Sequence, residues 1–336
     1  MGDRANYVLV RGGDWRLHYS HWGATGVDVQ LLDGPGSATR FIAAQREMAR
    51  DAWLDEVWCE GAALVDHDAH ELLFFTWHLD DYVHRRALLT VLGRTWPGWR
   101  IRWAYDGLED LAAHVGADPA LVRSGRAAEP PGTSELPPIE PGEEDVALAV
   151  TVADGGGDDG VDGGVRAYAV YAADLGDLLD RGPALAGQLP RGAMTDRLPT
   201  VPEGGVHVDT VHRRVCAWTL QHLAGAAGAA GLPRWPGWEW TFWADRYEEH
   251  ERAAAGALGF ARPDLGPGAA LLAERLERHG ERDPVADFTR LTERLAAEEG
   301  RGGITVSPWT REHTPTSPLP EERARLRAAL ADLSAD

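Results

Sequence analysis

A four-residue phrase used twice constrains this chain more than any other feature. Trp96-Pro97-Gly98-Trp99 returns as Trp235-Pro236-Gly237-Trp238, each time ahead of an aromatic run. Upstream, Glu60-Gly61-Ala62-Ala63-Leu64-Val65-Asp66 is echoed by Glu203-Gly204-Gly205-Val206-His207-Val208-Asp209. Separate blocks repeated in one order read as an internal duplication, one supersecondary plan used twice.

The length of 336 residues supports two such plans, each with its own core. The spacing predicts a first module over 1–124 and a second over 145–261. Between them, 125–144 carries Pro130-Pro131-Gly132, Pro137-Pro138 and Pro141-Gly142 among acidic residues, a linker composition. From 262 to 336 the pattern turns helical and has no counterpart in either module.

Within the first module, Tyr7–Val10 and Trp15–Trp22 alternate around Arg11-Gly12-Gly13-Asp14, a hairpin signature. Residues 39–50 have helical composition. A second hairpin turns at Asp66-His67-Asp68-Ala69, and a helix follows over 81–93. The second module repeats this order, with Leu220–Ala230 read as an Ala/Gly-rich helix. Hairpins dominate, so the expected fold is α+β: two tandem duplicated modules of largely antiparallel hairpins with helices, plus a C-terminal helical segment.

Net charge is −20, and every cation is arginine. Clustered cations are what a phosphate backbone requires, so a nucleic-acid surface is disfavoured. No apolar run reaches the length of a membrane span. The first residues lack the basic start and apolar core of a secretion signal. Cys59 and Cys216 make no disulfide framework. Together these point to a cytoplasmic protein without membrane contact.

Chemistry-bearing motifs are sparse. Asp66, His67 and His70 gather at one turn, echoed by Asp209 and His212 at the other; these are the candidate catalytic residues. Asp-rich turns also follow from Asx-turn hydrogen bonding, and a metal needs converging ligands, so neither a metal nor a cofactor is expected. His18 and His21 are three apart in a strand and point to opposite faces. Asp106 with Glu109, and Asp245 with Glu248, fit capping boxes. The Gly/Asp run from Gly155 fits a dinucleotide pattern only formally, because a strand follows it rather than a helix.

The remaining signal is aromatic. Trp96, Trp99, Trp103, Trp235, Trp238, Trp240 and Trp243 are the candidate binding residues, since tryptophan offers a large rigid contact face. Acidity, tryptophan and missing catalytic signatures point to a non-enzymatic binding protein with a basic protein partner, for example an inhibitor or immunity protein. The alternative is a hydrolase-type enzyme with an Asp/His site between the two repeats.

Overall fold

The structure is a computed structural model. It describes residues 3–79, 81–124, 135–136, 147–155, 164–172, 175–189, 194–221, 223, 232–281, 283–299, 309, 314 and 316–335. Most of the linker, the Gly/Asp run and the Ala/Gly run after Leu220 lie outside these residues.

The fold is mixed α and β. The chain divides into two compact units, the first comprising 1–79, 83–124 and 265–336, the second 80–82 and 125–264. The first unit holds β1 (Ala5–Arg11), β2 (Asp14–Ser20), α1 (Val27–Leu32), α2 (Pro35–Ala44), β3 (Arg46–Met48), β4 (Gly61–Asp66) and β5 (Glu71–Thr76). It continues with α3 (Tyr82–Thr95), β6 (Arg100–Trp103) and α4 (Leu108–His114). The second unit holds β7 (Ala147–Ala153), β8 (Val165–Tyr171), α5 (Leu175–Asp180), β9 (Arg197–Leu198), β10 (Gly204–Asp209) and β11 (Arg214–Thr219). It closes with β12 (Glu239–Phe242), α6 (Tyr247–Ala253) and β13 (Gly259–Phe260). The chain then returns to the first unit with α7 (Gly268–Glu281), α8 (Pro284–Glu299) and α9 (Pro320–Ala335).

The main sheets run β3-β2-β1-β4-β5-β6 and β12-β11-β10-β7-β8. The hairpins β1–β2, β4–β5, β7–β8 and β10–β11 are antiparallel, as their turn residues require. The joins between them are parallel: β1 with β4, β5 with β6, β7 with β10, and β11 with β12. The sheets are therefore mixed rather than largely antiparallel. A parallel join needs a crossover of a dozen residues or more, here supplied by helical segments such as α3. Local periodicity reveals the hairpins but not which strand a crossover returns to. In the first unit every residue of β4 and β5 is buried, as expected of central strands covered on both faces.

The first tryptophan of each repeated tetrapeptide is a buried anchor of its sheet. Trp96 Nε1 donates to the Leu31 carbonyl at 2.8 Å, and Trp235 Nε1 donates to the Leu179 carbonyl at 2.7 Å. Gly98 and Gly237 turn the chain at φ +80° and +77°, conformations that an L side chain resists. Trp99 and Trp238 then meet their anchors edge-on, at 5.0 and 4.9 Å.

The helical composition of 39–50 is only partly realised. The helix ends at Ala44 because Gln45 turns extended, and Arg46–Met48 pairs antiparallel with β2 as an edge strand. Sheet pairing outweighs the helix propensity of this segment. The C-terminal helices complete the first unit. Leu272, Leu326 and Ala329 join its core, and the buried Asp28 carboxylate receives Arg275 Nε at 3.0 Å. Arg40 forks onto Glu322 to hold α9.

Candidate functional site

The seven candidate tryptophans sit at different depths. Trp96, Trp103 and Trp235 are buried, while Trp99, Trp238, Trp240 and Trp243 are half-buried. Trp103 packs edge-on against Phe74 at 5.2 Å, with the buried Arg85 guanidinium 3.9 Å above its ring. Trp240 stacks along Phe242, and Trp243 lies beside His207. Only the half-buried four offer an edge to a ligand.

The Asp/His candidates lie at two hairpin turns built alike. Asp66 Oδ1 accepts from the amides of Asp68 and Ala69, both at 2.8 Å. Asp209 Oδ1 accepts from those of Val211 and His212, at 3.1 and 3.0 Å. These are Asx turns. His70 and Arg213 occupy the same left-handed backbone position, φ 50° and 51°, which assigns that conformation to the turn rather than to chemistry. Each aspartate also holds a histidine with its second oxygen: His114 at 2.8 Å in the first unit, His212 at 2.7 Å in the second. Burial opposes ionisation of both carboxyls. The histidine and amide hydrogen bonds outweigh it and hold both below the usual carboxylate range.

His67 is not joined to this pair. Its Nε2 meets Thr39 Oγ1 at 2.9 Å, and its ring faces the edge of Trp99. His70 packs on the same tryptophan at 5.4 Å. Among the described residues, neither His114 nor His212 touches a hydroxyl or thiol that it would activate, and no group of three or more His, Cys, Asp or Glu side chains is placed to hold a metal. His114 was not a sequence candidate; its position in the last turn of α4 reaches Asp66 only through the fold.

The expected capping boxes do not form. Asp106 and Asp245 precede the glycine and arginine that stand at the N-caps of α4 and α6, and neither cap makes a side-chain bond. Asp110, one residue beyond the expected Glu109, accepts from Asp106 N at 3.0 Å, while Glu109 instead holds Arg123. Both thiols are buried, and burial pushes Cys59 up to about 12 and Cys216 up to about 11, so neither is a ready nucleophile.

Exposed aromatic surface lies elsewhere, at the end of the β4–β5 hairpin away from its turn. Val57, Trp58 and Trp77 are 41%, 54% and 43% exposed. Asp55 Oδ1 accepts from the amides of Val57 and Trp58, which fixes this loop with its apolar side chains outward. Glu60 ties the edge together. Its carbonyl receives Trp77 N, its carboxylate receives Arg4 N, and the Arg4 guanidinium lies over the Trp58 ring at 4.8 Å. Burial pushes the Glu60 carboxyl up, and neighbouring Asp3 adds to that rise. At the matching register of the second unit, Trp77 is replaced by the buried Leu220, whose N donates to the Glu203 carbonyl.

The second unit carries a buried polar circuit that sequence reading missed. Trp218 Nε1 donates to His250 Nδ1 at 3.0 Å, which leaves the His250 proton on Nε2. That nitrogen donates to Thr151 Oγ1 at 2.7 Å, and the hydroxyl in turn donates to His207 Nδ1 at 2.8 Å. Burial lowers His207 and pushes His250 down to about 3, so both rings are neutral in the fold.

No protein-family model matches the chain, no curated protein matches it, and no solved structure matches its fold.

Proposed function

We propose that the protein is an acidic, non-enzymatic binding protein that engages a basic protein partner. The Val57–Trp58–Trp77 edge of the first unit is its contact surface. The observation that carries this reading is two exposed tryptophans held by a fixed loop beside Asp3, Asp55 and Glu60. Tryptophan in such a setting is typical of binding hot spots. The chain's net charge of −20 would steer a cationic partner toward it. An inhibitor or immunity protein is one concrete form of this activity. Two buried thiols and no helix among the described residues long and apolar enough to cross a membrane fit action in the cytoplasm.

We also read the two units as copies of one ancestral module. The common strand order, the paired Trp anchors and the matched Asx turns support that reading. A hydrolase would draw on the Asp66–His114 and Asp209–His212 pairs. The binding reading is preferred because neither pair meets a nucleophile among the described residues.

The test is capture from native lysate at low salt with the wild-type chain and a Trp58→Ala/Trp77→Ala variant. The expected result is one stoichiometric basic protein, released by a salt step and lost from the variant. A partner retained equally by the variant, or one indifferent to salt, would sink the proposal.

A further inference from the structure

The first unit contains a cleft of about 670 Å³ walled by α1, α2, α7, α9 and the start of α8. That volume suits a small molecule rather than a single water. At its floor lies Asp33, the residue that ends α1, only 6% exposed. Its Oδ1 is buried without a hydrogen-bond partner, and the nearest cation, Arg323 Nε, stands off at 3.6 Å. That separation is too long for a hydrogen bond. Burial pushes the Asp33 carboxyl up, and the distant Arg323 does not reverse the shift. A buried carboxylate so poorly satisfied is rare, because an unmatched buried charge is costly.

Two neighbours extend the polar floor. Ser37, buried in the first turns of α2, lines the same cleft and offers its hydroxyl there as an acceptor. Asp283, at the start of α8, adds a second carboxylate whose Oδ1 caps that helix. On the side wall Gln30 Nε2 and His279 Nε2 meet at 2.9 Å. Two carboxylates therefore face one loosely placed guanidinium.

We propose that this cleft binds a small organic cation, a primary ammonium or guanidinium, whose N–H groups donate to Asp33 Oδ1 and Ser37 Oγ while Arg323 swings aside. The cation supplies the donors that Asp33 lacks, and Ser37 adds direction. This site is independent of the tryptophan edge, and its failure would leave the binding-protein reading untouched.

Isothermal titration with diaminobutane tests it, with butanediol as the neutral isostere and inorganic phosphate as the anionic probe, at about 0.15 M salt to screen surface attraction. One saturable site for the diamine is expected, with none for the diol or phosphate. Asp33→Asn should weaken it by more than about tenfold. Ser37→Ala should weaken it by about threefold to tenfold, the worth of one hydrogen bond. Glu274→Gln, which removes an exposed carboxylate of α7, should leave it unchanged. Equal binding by wild type and Asp33→Asn would overturn the proposal. So would phosphate binding, or several weak events common to every variant. Should Asp33→Asn fail to fold, Ser37→Ala decides, and an unaltered affinity in that variant overturns it.

Discussion

The two units share a ladder and differ in what fills one face of it. In the first, Val8, Leu64, Phe75 and Leu111 are all buried and apolar. At the same registers and the same offset from the Trp anchor, the second unit has Thr151, His207, Trp218 and His250, joined in a hydrogen-bonded chain. The opposite face is alike in both, with an anchoring indole hydrogen-bonded to a helical carbonyl. Strand order and anchor thus define the architecture, while the other face accommodates either apolar packing or a hydrogen-bonded polar chain. That tolerance follows from hydrogen-bond energetics. A closed network adds little net stability over an isosteric apolar core, and a broken one costs the desolvation of every orphaned group.

The largest expected effect strikes what the units share. Trp96→Ala and Trp235→Ala should each cost about 3–5 kcal/mol, confined to the unit that carries the change. Hydrogen exchange resolved to β4–β5 and β10–β11 peptides would show this confinement; uniform loss of protection would mean that the units do not unfold separately.

Acid should separate them next. His250 is neutral in the fold down to about pH 3, whereas the unfolded chain protonates it near its ordinary value of 6.5. Its contribution is therefore complete above pH 6.5 and is lost as pH falls toward 3. The slope is up to about 1.4 kcal/mol per pH unit. His207, also lowered by burial, acts in the same direction. Exchange protection in β10–β11 should fall across this window faster than in β4–β5. The combined change Thr151→Val, His207→Leu, Trp218→Phe and His250→Leu, which installs the first unit's residues, should flatten the dependence at little cost. His250→Leu alone should cost about 1–3 kcal/mol by orphaning Trp218 and Thr151. A steep acid dependence that survived the combined change would place its origin elsewhere.

A finer probe is Gly205→Ala, since the first unit has Ala62 at that register. In the second, a Cβ would lie 2.6 Å from His250 Nδ1 and 2.7 Å from Trp218 Nε1. Overpacking of about 1–3 kcal/mol is expected, and denaturant titration measures it. In the combined variant, where neither polar ring remains, the penalty should shrink. The smallest effect belongs to Trp58→Ala, within about 0.5 kcal/mol in the same titration, because that side chain lies outside the core.

Much of this was legible in local pattern. Gly61–Asp66 and Glu71–Thr76 form the hairpin that their composition and turn residues announce, and Pro320 opens the last helix. The parallel joins were not legible, because nothing in Ala5–Arg11 states that Gly61–Asp66 will lie beside it. Nor was the polar circuit: Thr151 and His250 are 99 residues apart, and neither forms a motif with its own neighbours. The cleft at Asp33 needs α1 and α9 brought together from far-separated segments. Of the aromatic signal, Trp96, Trp103 and Trp235, expected as binding residues, are buried, while Trp58 and Trp77, not singled out by the sequence, are exposed.

Arg275 closes on Asp28 across 247 residues of chain. At a synthesis rate of about 5–20 residues per second, Asp28 emerges from the ribosome roughly 12–50 s before its counter-ion exists. During that interval the first unit lacks α7 and α9, while the second unit is being made. The nascent first unit then shows a carboxylate without its arginine and the apolar surface that Leu272 and Leu326 later cover. Chaperone demand during synthesis should therefore concentrate on the half of the protein made first.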